Sequence, residues 1–287
     1  MVYKLSAWQK GRVMFLTPTG ERRASTVLLL RDTVWGMEVY VQERASTMIH
    51  YPEMTVFPGG GVDQRDLPGD VDGDGVDSPE LRWVGHDTSW WARHLKVPRD
   101  DARALVCAAV RETFEESGTL LAGLHDGNVV GDTDPYIPFR SRLESHELAF
   151  SNFLDDTGLY LRADLLRPWA NWVSPPGDTA RYDTHFFVAA QPEGQNTHDD
   201  AIEAASSGWF RPSTLLDGWR YRKIRLLPPT WVQLRMLDTF RTVDEVLGYA
   251  SDLTVEPVTG AVRDRPFMDE YFTVERSFDT YYARGWA

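Results

Sequence analysis

Val and Leu dominate residues 25–30 and 37–42, with partial alternation of apolar and polar positions, and a short polar link at 31–36 separates the runs. This pattern predicts a pair of strands. A third strand is predicted at 54–57, stopped by Pro58 and the triple glycine Gly59, Gly60 and Gly61. From 62 to 98 the pattern dissolves into Asp, Gly and Pro, with Trp83, Trp90 and Trp91 towards its end. Such a stretch is too long for a simple connection and reads as an insert with a loose first half and a packed, aromatic second half. Helical signals follow at 101–117. Asp100 or Asp101 can cap the start, Ala104, Leu105, Ala108, Ala109 and Phe114 form an apolar stripe, and Gly118 is the stop. A second helical region is predicted at 141–156. Strands are predicted at 169–174 and 182–190, the latter around His185-Phe186-Phe187-Val188, with a short one at Trp209 and Phe210 before Pro212. Helices are predicted at 229–240, opened by proline, and at 243–250. The tail, 252–287, is polar and aromatic without clean periodicity, and no internal repeat is visible.

The bulk properties narrow the function classes. With 287 residues the chain can bury a sizeable core, and 42% hydrophobic with 25% charged residues is ordinary for a soluble globular protein. No run approaches the roughly 20 apolar residues of a membrane span. Residues 1–20 lack the apolar core and cleavage site of a secretory leader. The single Cys107 excludes an internal disulfide and a multi-cysteine zinc site within one chain, so a cytoplasmic, reducing setting is expected. A formal net charge of -13 argues against electrostatic capture of nucleic acid or anionic membrane. A phosphorylated substrate stays admissible if divalent cations cancel the repulsion.

The informative segment is Arg111-Glu112-Thr113-Phe114-Glu115-Glu116-Ser117-Gly118. On a helix, Glu112, Glu115 and Glu116 stand at i, i+3 and i+4 and share one face, where like charges cost a few tenths of a kcal/mol per pair. A solvated, glutamate-rich helix face is the plain reading of such a run. Hard divalent cations are the functional one, because Mg²⁺ and Mn²⁺ prefer oxygen ligands. Arg111, four residues before Glu115, is placed to hold that carboxylate. The glycines upstream of the insert offer backbone amides and close approach to a phosphate-bearing ligand.

This segment resembles the core of the Nudix box, Gly-x5-Glu-x7-Arg-Glu-U-x-Glu-Glu-x-Gly-U, where U is a bulky aliphatic. Phe57-Pro58-Gly59-Gly60 is similar to the strand and turn that lead into it. Three departures stand out. The glycine and the Arg-Glu pair are far apart, the position eight before Arg111 is Arg103 and not glutamate, and Thr113 and Thr119 occupy the U positions. An interrupted box of this kind resembles the long-insert subgroup that includes coenzyme A diphosphatases. Residues 39–44, ending in Arg44, then 172–175, 181–187, Glu203 with Trp209 and Pro212, and 227–230 resemble that subgroup in order, so the likeness covers roughly 25–240. It implies an α/β/α sandwich with a mixed central sheet, a long insert at about 62–100 and an extension over 252–287 that packs on the body or on a partner subunit.

The resemblance also implies an activity: metal-dependent hydrolysis of a diphosphate linkage in a nucleoside diphosphate joined to another moiety. Mg²⁺ or Mn²⁺ would be held by Glu112, Glu115 and Glu116, with Glu112 or Glu203 as general base. Arg111 would orient, and Gly59, Gly60 and Arg44 would face the substrate. Coenzyme A or an acyl derivative leads the substrate expectations. ADP-ribose, a dinucleotide, or a non-catalytic binding module on the same fold are the alternatives. The expected partner is a small nucleotide conjugate, with a homodimer left open by the tail aromatics Tyr271, Phe272, Phe278, Tyr281 and Tyr282. Other motifs carry less. Residues 70–75 resemble the opening of an EF-hand loop, but its twelfth position is Leu81, so an acidic loop is the better reading. The histidines form no zinc pattern, and His185 reads as a core or pocket residue. Neither a Gly-x-Ser-x-Gly elbow nor a phosphate loop of the Gly-x4-Gly-Lys type is present. Trp83, Trp90 and Trp91 read as packing residues ahead of an acyl or adenine pocket.

Overall fold

The computed structural model describes residues 16–48, 50–63, 66, 82–178, 180–198, 204–260, 262 and 265–276. Residues 67–81 of the insert with its EF-hand-like run, Glu203, and Phe278, Tyr281 and Tyr282 lie outside the described residues. β1 (Arg22–Thr33) and β2 (Gly36–Arg44) form the expected hairpin, in register from Leu30↔Val39 to Thr33↔Gly36. The strands then part. The gap is filled by β3 (Thr55–Val56), paired with β2, and β4 (Gly59–Gly61), paired with β1. The triple glycine is therefore a strand and not a terminating turn. Its closeness to β1 explains the residue type, since a Cβ on Gly59 would stand 2.4 Å from the Ser25 carbonyl oxygen.

The second half of the insert is packed, as its aromatics suggest. It contributes β5 (Trp83–Val84) and α1 (Thr88–Leu95), whose cap Asp87 accepts from the Trp90 N–H and whose Trp91 is fully buried. Next comes α2 (Arg99–Ser117), where the expected aspartate cap is absent. Pro98 stands at the cap position, and Asp101 in the first turn pairs instead with Arg23 of β1 at 2.6 Å. After β6 (Ala122–Gly123), the single helix expected at 141–156 is two helices, α3 (Ile137–Glu144) and α4 (Phe150–Thr157). His146 between them adopts a left-handed φ of 64°, which a continuing helix cannot accommodate.

β7 (Tyr160–Arg162) joins β5 and β6 in a small sheet. β8 (Leu166–Val173), β9 (Tyr182–Ala190) and β10 (Ala204–Phe210) complete most of the large one, and α5 (Pro212–Arg220), which the sequence pattern did not suggest, follows directly. α6 (Pro228–Leu237) opens on proline and α7 (Val243–Ala250) is capped by Thr242. In the tail, β11 (Pro257–Val258) pairs with β8, and α8 (Asp269–Arg276) buries Tyr271 and Phe272 against the same chain. Those two aromatics need no second subunit to cover them. The Tyr271 ring stacks on Trp219 at 5.5 Å and its hydroxyl donates to the Leu226 carbonyl.

The large sheet runs β10-β2-β1-β9-β8-β11 and is mixed: β1 and β9 are parallel from Arg22↔Tyr182 to Leu30↔Ala190, whereas β1–β2 and β8–β9 are antiparallel. Strand alternation divides the core into two layers. Val27, Leu29, Tyr40 and Phe187 pack under α1, α2 and α4, while Leu28, Leu30, Val41 and Val188 pack under α5 to α8. The result is the α/β/α sandwich expected, with α2 lying on one face of the sheet beside the glycine strand.

Candidate active site

The middle of α2 is apolar on every side. Ala104, Leu105, Val106, Cys107, Ala108, Ala109 and Val110 are all buried, because the helix packs on the sheet and under α1 and α4 at once. Such a helix is held rigidly by its middle, and its last two turns present Arg111, Glu112, Glu115 and Glu116 at the glycine strand. It stops at Gly118, which takes a left-handed φ of 73° and returns its N–H to the Phe114 carbonyl.

Arg111 organises the cluster. Its side chain is 4% exposed and makes five hydrogen bonds, the donor capacity of a guanidinium. Two parallel bonds of 2.7 and 2.9 Å go to the Asp66 carboxylate, whose side chain is fully buried. Others reach Glu112 Oε1 at 2.8 Å, Glu115 Oε2 at 3.1 Å and the Gly61 carbonyl at 3.1 Å. Burial works against the charge on Arg111, but the three acids prevail and raise its pKa well above the usual arginine range.

The glycine strand meets the other carboxylates directly. The Gly59 N–H donates to Glu116 Oε2 at 2.7 Å, so this amide is engaged by the protein itself. Gly60 lies against Glu112, where a Cβ would stand 2.5 Å from Oε1 and 2.6 Å from Oε2. Glycine at 60 is thus what lets the strand and the Glu112 carboxylate touch. Arg140 of α3 donates from Nε and Nη2 to the Glu115 carbonyl at 3.0 and 2.8 Å, bracing the last turn of α2.

Glu115 is strongly perturbed. Burial pushes its carboxyl up to about 8, against the pull of Arg111, with Glu112 and Asp66 adding to the rise. Its Oε1 is buried and makes no hydrogen bond. An orphaned carboxylate oxygen, beside two more carboxylates at a strand made of glycine, is the donor chemistry of a hard divalent cation. Among the described residues, no three His, Cys, Asp or Glu side chains are already drawn together as a ligand set. Arg111 bridges Glu112 and Glu115, so a cation there would compete with its guanidinium.

Asp66 was not anticipated from the sequence. Counting back from Arg111 leads to Arg103, whereas counting forward from Gly60 across five residues leads to Asp66. The upstream acid of the box is therefore present, as an aspartate in the opening residues of the insert. Arg140 carried no signal, since it acts on a backbone carbonyl.

Arg44 ends β2 on the same face as Tyr40, but among the described residues no hydrogen bond or ion pair joins it to Glu112, Glu115 or Glu116, and its buried Nε has no partner. His185 is 1% exposed, and both ring nitrogens lack hydrogen bonds; its nearest charge is Asp183 Oδ1 at 3.6 Å. Burial holds this imidazole down at about 4, with Asp183 opposing and Arg23 reinforcing, so it is a neutral core group.

Comparison with known proteins places this geometry among relatives. The family model described as the NUDT19 Nudix domain matches residues 84–237, a span that begins after Gly59, Gly60 and Asp66. The acyl-coenzyme A diphosphatase NUDT19 of Xenopus laevis is 24% identical over 246 residues, covering 76% of this chain and 64% of that protein. Its Homo sapiens counterpart is 29% identical over 163 residues, covering 51% and 42%. The chain thus spans less than two thirds of the length of these curated relatives. Among solved structures, a NUDIX hydrolase from Alicyclobacillus acidocaldarius superposes with a TM-score of 0.62 at 26% identity, covering 84% of this chain and 100% of the other.

Proposed function

The chain belongs to the family described as the NUDT19 Nudix domain, and on that premise we propose that it hydrolyses the diphosphate linkage of a small nucleotide conjugate, with coenzyme A or an acyl-coenzyme A as substrate. The observation that carries the reading is the meeting of Glu112, Glu115 and Glu116 with Arg111 on the glycine strand, with one Glu115 oxygen left over. Water adds to one phosphorus, the bridging P–O bond breaks, and two phosphate monoesters leave. A divalent cation, Mg²⁺ or Mn²⁺, supplies charge neutralisation and a lowered pKa for bound water at such a site. Glu112, Glu115 and Glu116 are the proposed ligands. Arg111 sets the rotamers of Glu112 and Glu115, and Gly59 and Gly60 bring the strand close enough for the substrate phosphates to reach the carboxylates. The proton of the attacking water is assigned to Glu112 or to Glu203, which paired variants separate. Arg44 is proposed to face the substrate as a guanidinium free to meet an anion.

The substrate assignment is supported by the printed activity of the relatives. The compartment proposed is a reducing, cytoplasmic one, in keeping with a single buried Cys107. Among the described residues no helix is long and apolar enough to cross a membrane. The test is a screen of coenzyme A, acyl-coenzyme A, ADP-ribose and dinucleotides with product identification, run with Mg²⁺, with Mn²⁺ and in chelator. Two monoesters from a coenzyme A substrate, formed only with metal, are expected. Consumption of none of these conjugates, or undiminished hydrolysis in excess chelator, would remove the proposal.

A further inference from the structure

On the face of β2 that looks towards α2, the chain keeps polar atoms where an apolar strand would be more stable. Val39 and Val41 point into the opposite core layer, and Tyr40 into the layer beneath α2, so Gln42 shares the face of Tyr40. Ser207 of β10 stands directly opposite Gln42 in the ladder and therefore on the same face, at a typical Cβ separation of about 5 Å. Gln42 is 3% exposed. Its Oε1 and the Ser207 Oγ are both buried, and neither has a hydrogen-bond partner. A buried amide oxygen left unpartnered costs folding free energy, which a leucine of similar size would avoid.

The position of this pair ties it to the carboxylates. On its other edge Gln42 is opposite Val56, three residues before Gly59, whose N–H holds Glu116. On the other side, the Tyr40 hydroxyl donates to the His198 carbonyl at 3.4 Å, and the His198 ring lies over Gly118, at the end of α2. The orphan pair thus sits between two links to the last turn of the carboxylate helix.

We propose that Gln42 and Ser207 form a subsite that reads the edge of the substrate's nucleobase, with adenine as the base. This rests on the diphosphatase reading above. A primary amide carries an acceptor and donors side by side in one plane, which matches the exocyclic amine and adjacent ring nitrogen of adenine. A phosphate has no use for the acceptor, and the amides of an acyl-carrying arm show donor and acceptor on opposite sides. The Ser207 hydroxyl supplies a second acceptor for the amine.

The experiment compares an adenine conjugate that is turned over with its hypoxanthine counterpart, in which a carbonyl replaces the amine. Wild type is expected to favour adenine by about tenfold or more in kcat/KM, through KM. Gln42→Leu should bring that ratio to within about twofold of unity, keep kcat within about threefold, and melt no lower than wild type. Ser207→Ala should narrow the ratio partway. Gln42→Glu, with two acceptors, should shift preference towards guanine, whose ring N–H and amine are both donors, and serves if the leucine variant does not fold. A wild type indifferent to the base, or a preference unchanged in Gln42→Leu and Gln42→Glu, overturns the proposal and leaves a buried water as the partner of these atoms. If no conjugate is hydrolysed, the diphosphatase reading fails on its own. Calorimetric binding of AMP against IMP to the same variants then decides the subsite by the same ratios.

Discussion

Replacing Asp66 by alanine removes one half of a buried ion pair and leaves the other half, Arg111, inside the protein. Side-chain exposure is 4% for Arg111 and 0% for Asp66, so water cannot take over the lost contact. Breaking a pair of this kind from one side costs about 3–5 kcal/mol. Arg111 retains Glu112, Glu115 and the Gly61 carbonyl, which places the expected loss near the lower end, about 3 kcal/mol. That is a large part of the 5–15 kcal/mol typical of a folded domain, yet survivable. Urea unfolding measures it, with Asp155→Ala as the control. The Arg82–Asp155 pair is 3.1 Å long, but its side chains are 35% and 55% exposed. Its loss should cost less than about 1 kcal/mol. A second consequence separates this account from simple destabilisation. Without Asp66 the guanidinium turns wholly to Glu112 and Glu115 and competes with the cation, so the Mg²⁺ midpoint for activity should rise about tenfold or more. An Asp66→Ala protein that unfolds within about 1 kcal/mol of wild type, with an unchanged metal midpoint, would show that the pair neither holds the fold nor restrains Arg111.

Further outcomes follow from the same geometry. Glu115→Gln and Glu116→Gln should each reduce turnover at least about a hundredfold with little loss of fold, and near-normal rates in both would refute the ligand assignment. Gly60→Ala places a methyl against the far end of the Glu112 side chain and not against backbone, so stability should change by less than about 1 kcal/mol while activity falls tenfold or more. Gly59→Ala meets the β1 backbone instead and should lower the melting temperature; equal stability in the two variants would contradict the packing described. His185 gives a pH signature. Its folded pKa of about 4 lies below the ordinary 6.5, so the unfolded chain binds the extra proton and stability is lost as pH falls from about 6.5 towards 4. At about 1.4 kcal/mol per pH unit, the upper limit is about 3 kcal/mol. Chemical denaturation of wild type and His185→Phe across that window checks it, and parallel profiles would refute it.

The parts legible in the sequence are those where one pattern decides the outcome. β9 reads as a strand because an apolar run from His185 to Val188 is buried on both faces, and α7 reads as a helix because Thr242 caps it and its apolar positions keep helical spacing. The break at His146 was hidden, because a single residue in a left-handed conformation leaves no periodic trace. The Gly59–Gly61 strand has the sequence signature of a turn, because its conformation is dictated by β1 and not by its own side chains. At the site, the carboxylates of α2 were visible from helical spacing alone. Asp66 required the spacing to be counted from the glycine, and its pairing with Arg111 joins residues 45 positions apart. Gln42 and Ser207 could not be found from either strand separately, since their adjacency exists only in the ladder between β2 and β10.

Glu115 and Glu116 occupy the final turn of α2, which contains no basic residue. Aligned peptide dipoles give that end of a helix the equivalent of about half a negative charge, so acids there are opposed by about 0.3–1 kcal/mol each. The guanidinium that Arg140 lends from α3 offsets part of this field, and what is left would draw the divalent ion proposed above. Because such attraction fades beyond a Debye length of about 8–10 Å at 0.1–0.15 M ionic strength, monovalent salt should loosen the ion's hold without touching any ligand. On the metal-dependent reading proposed above, the polarity of one helix thus makes ionic strength a control on metal loading.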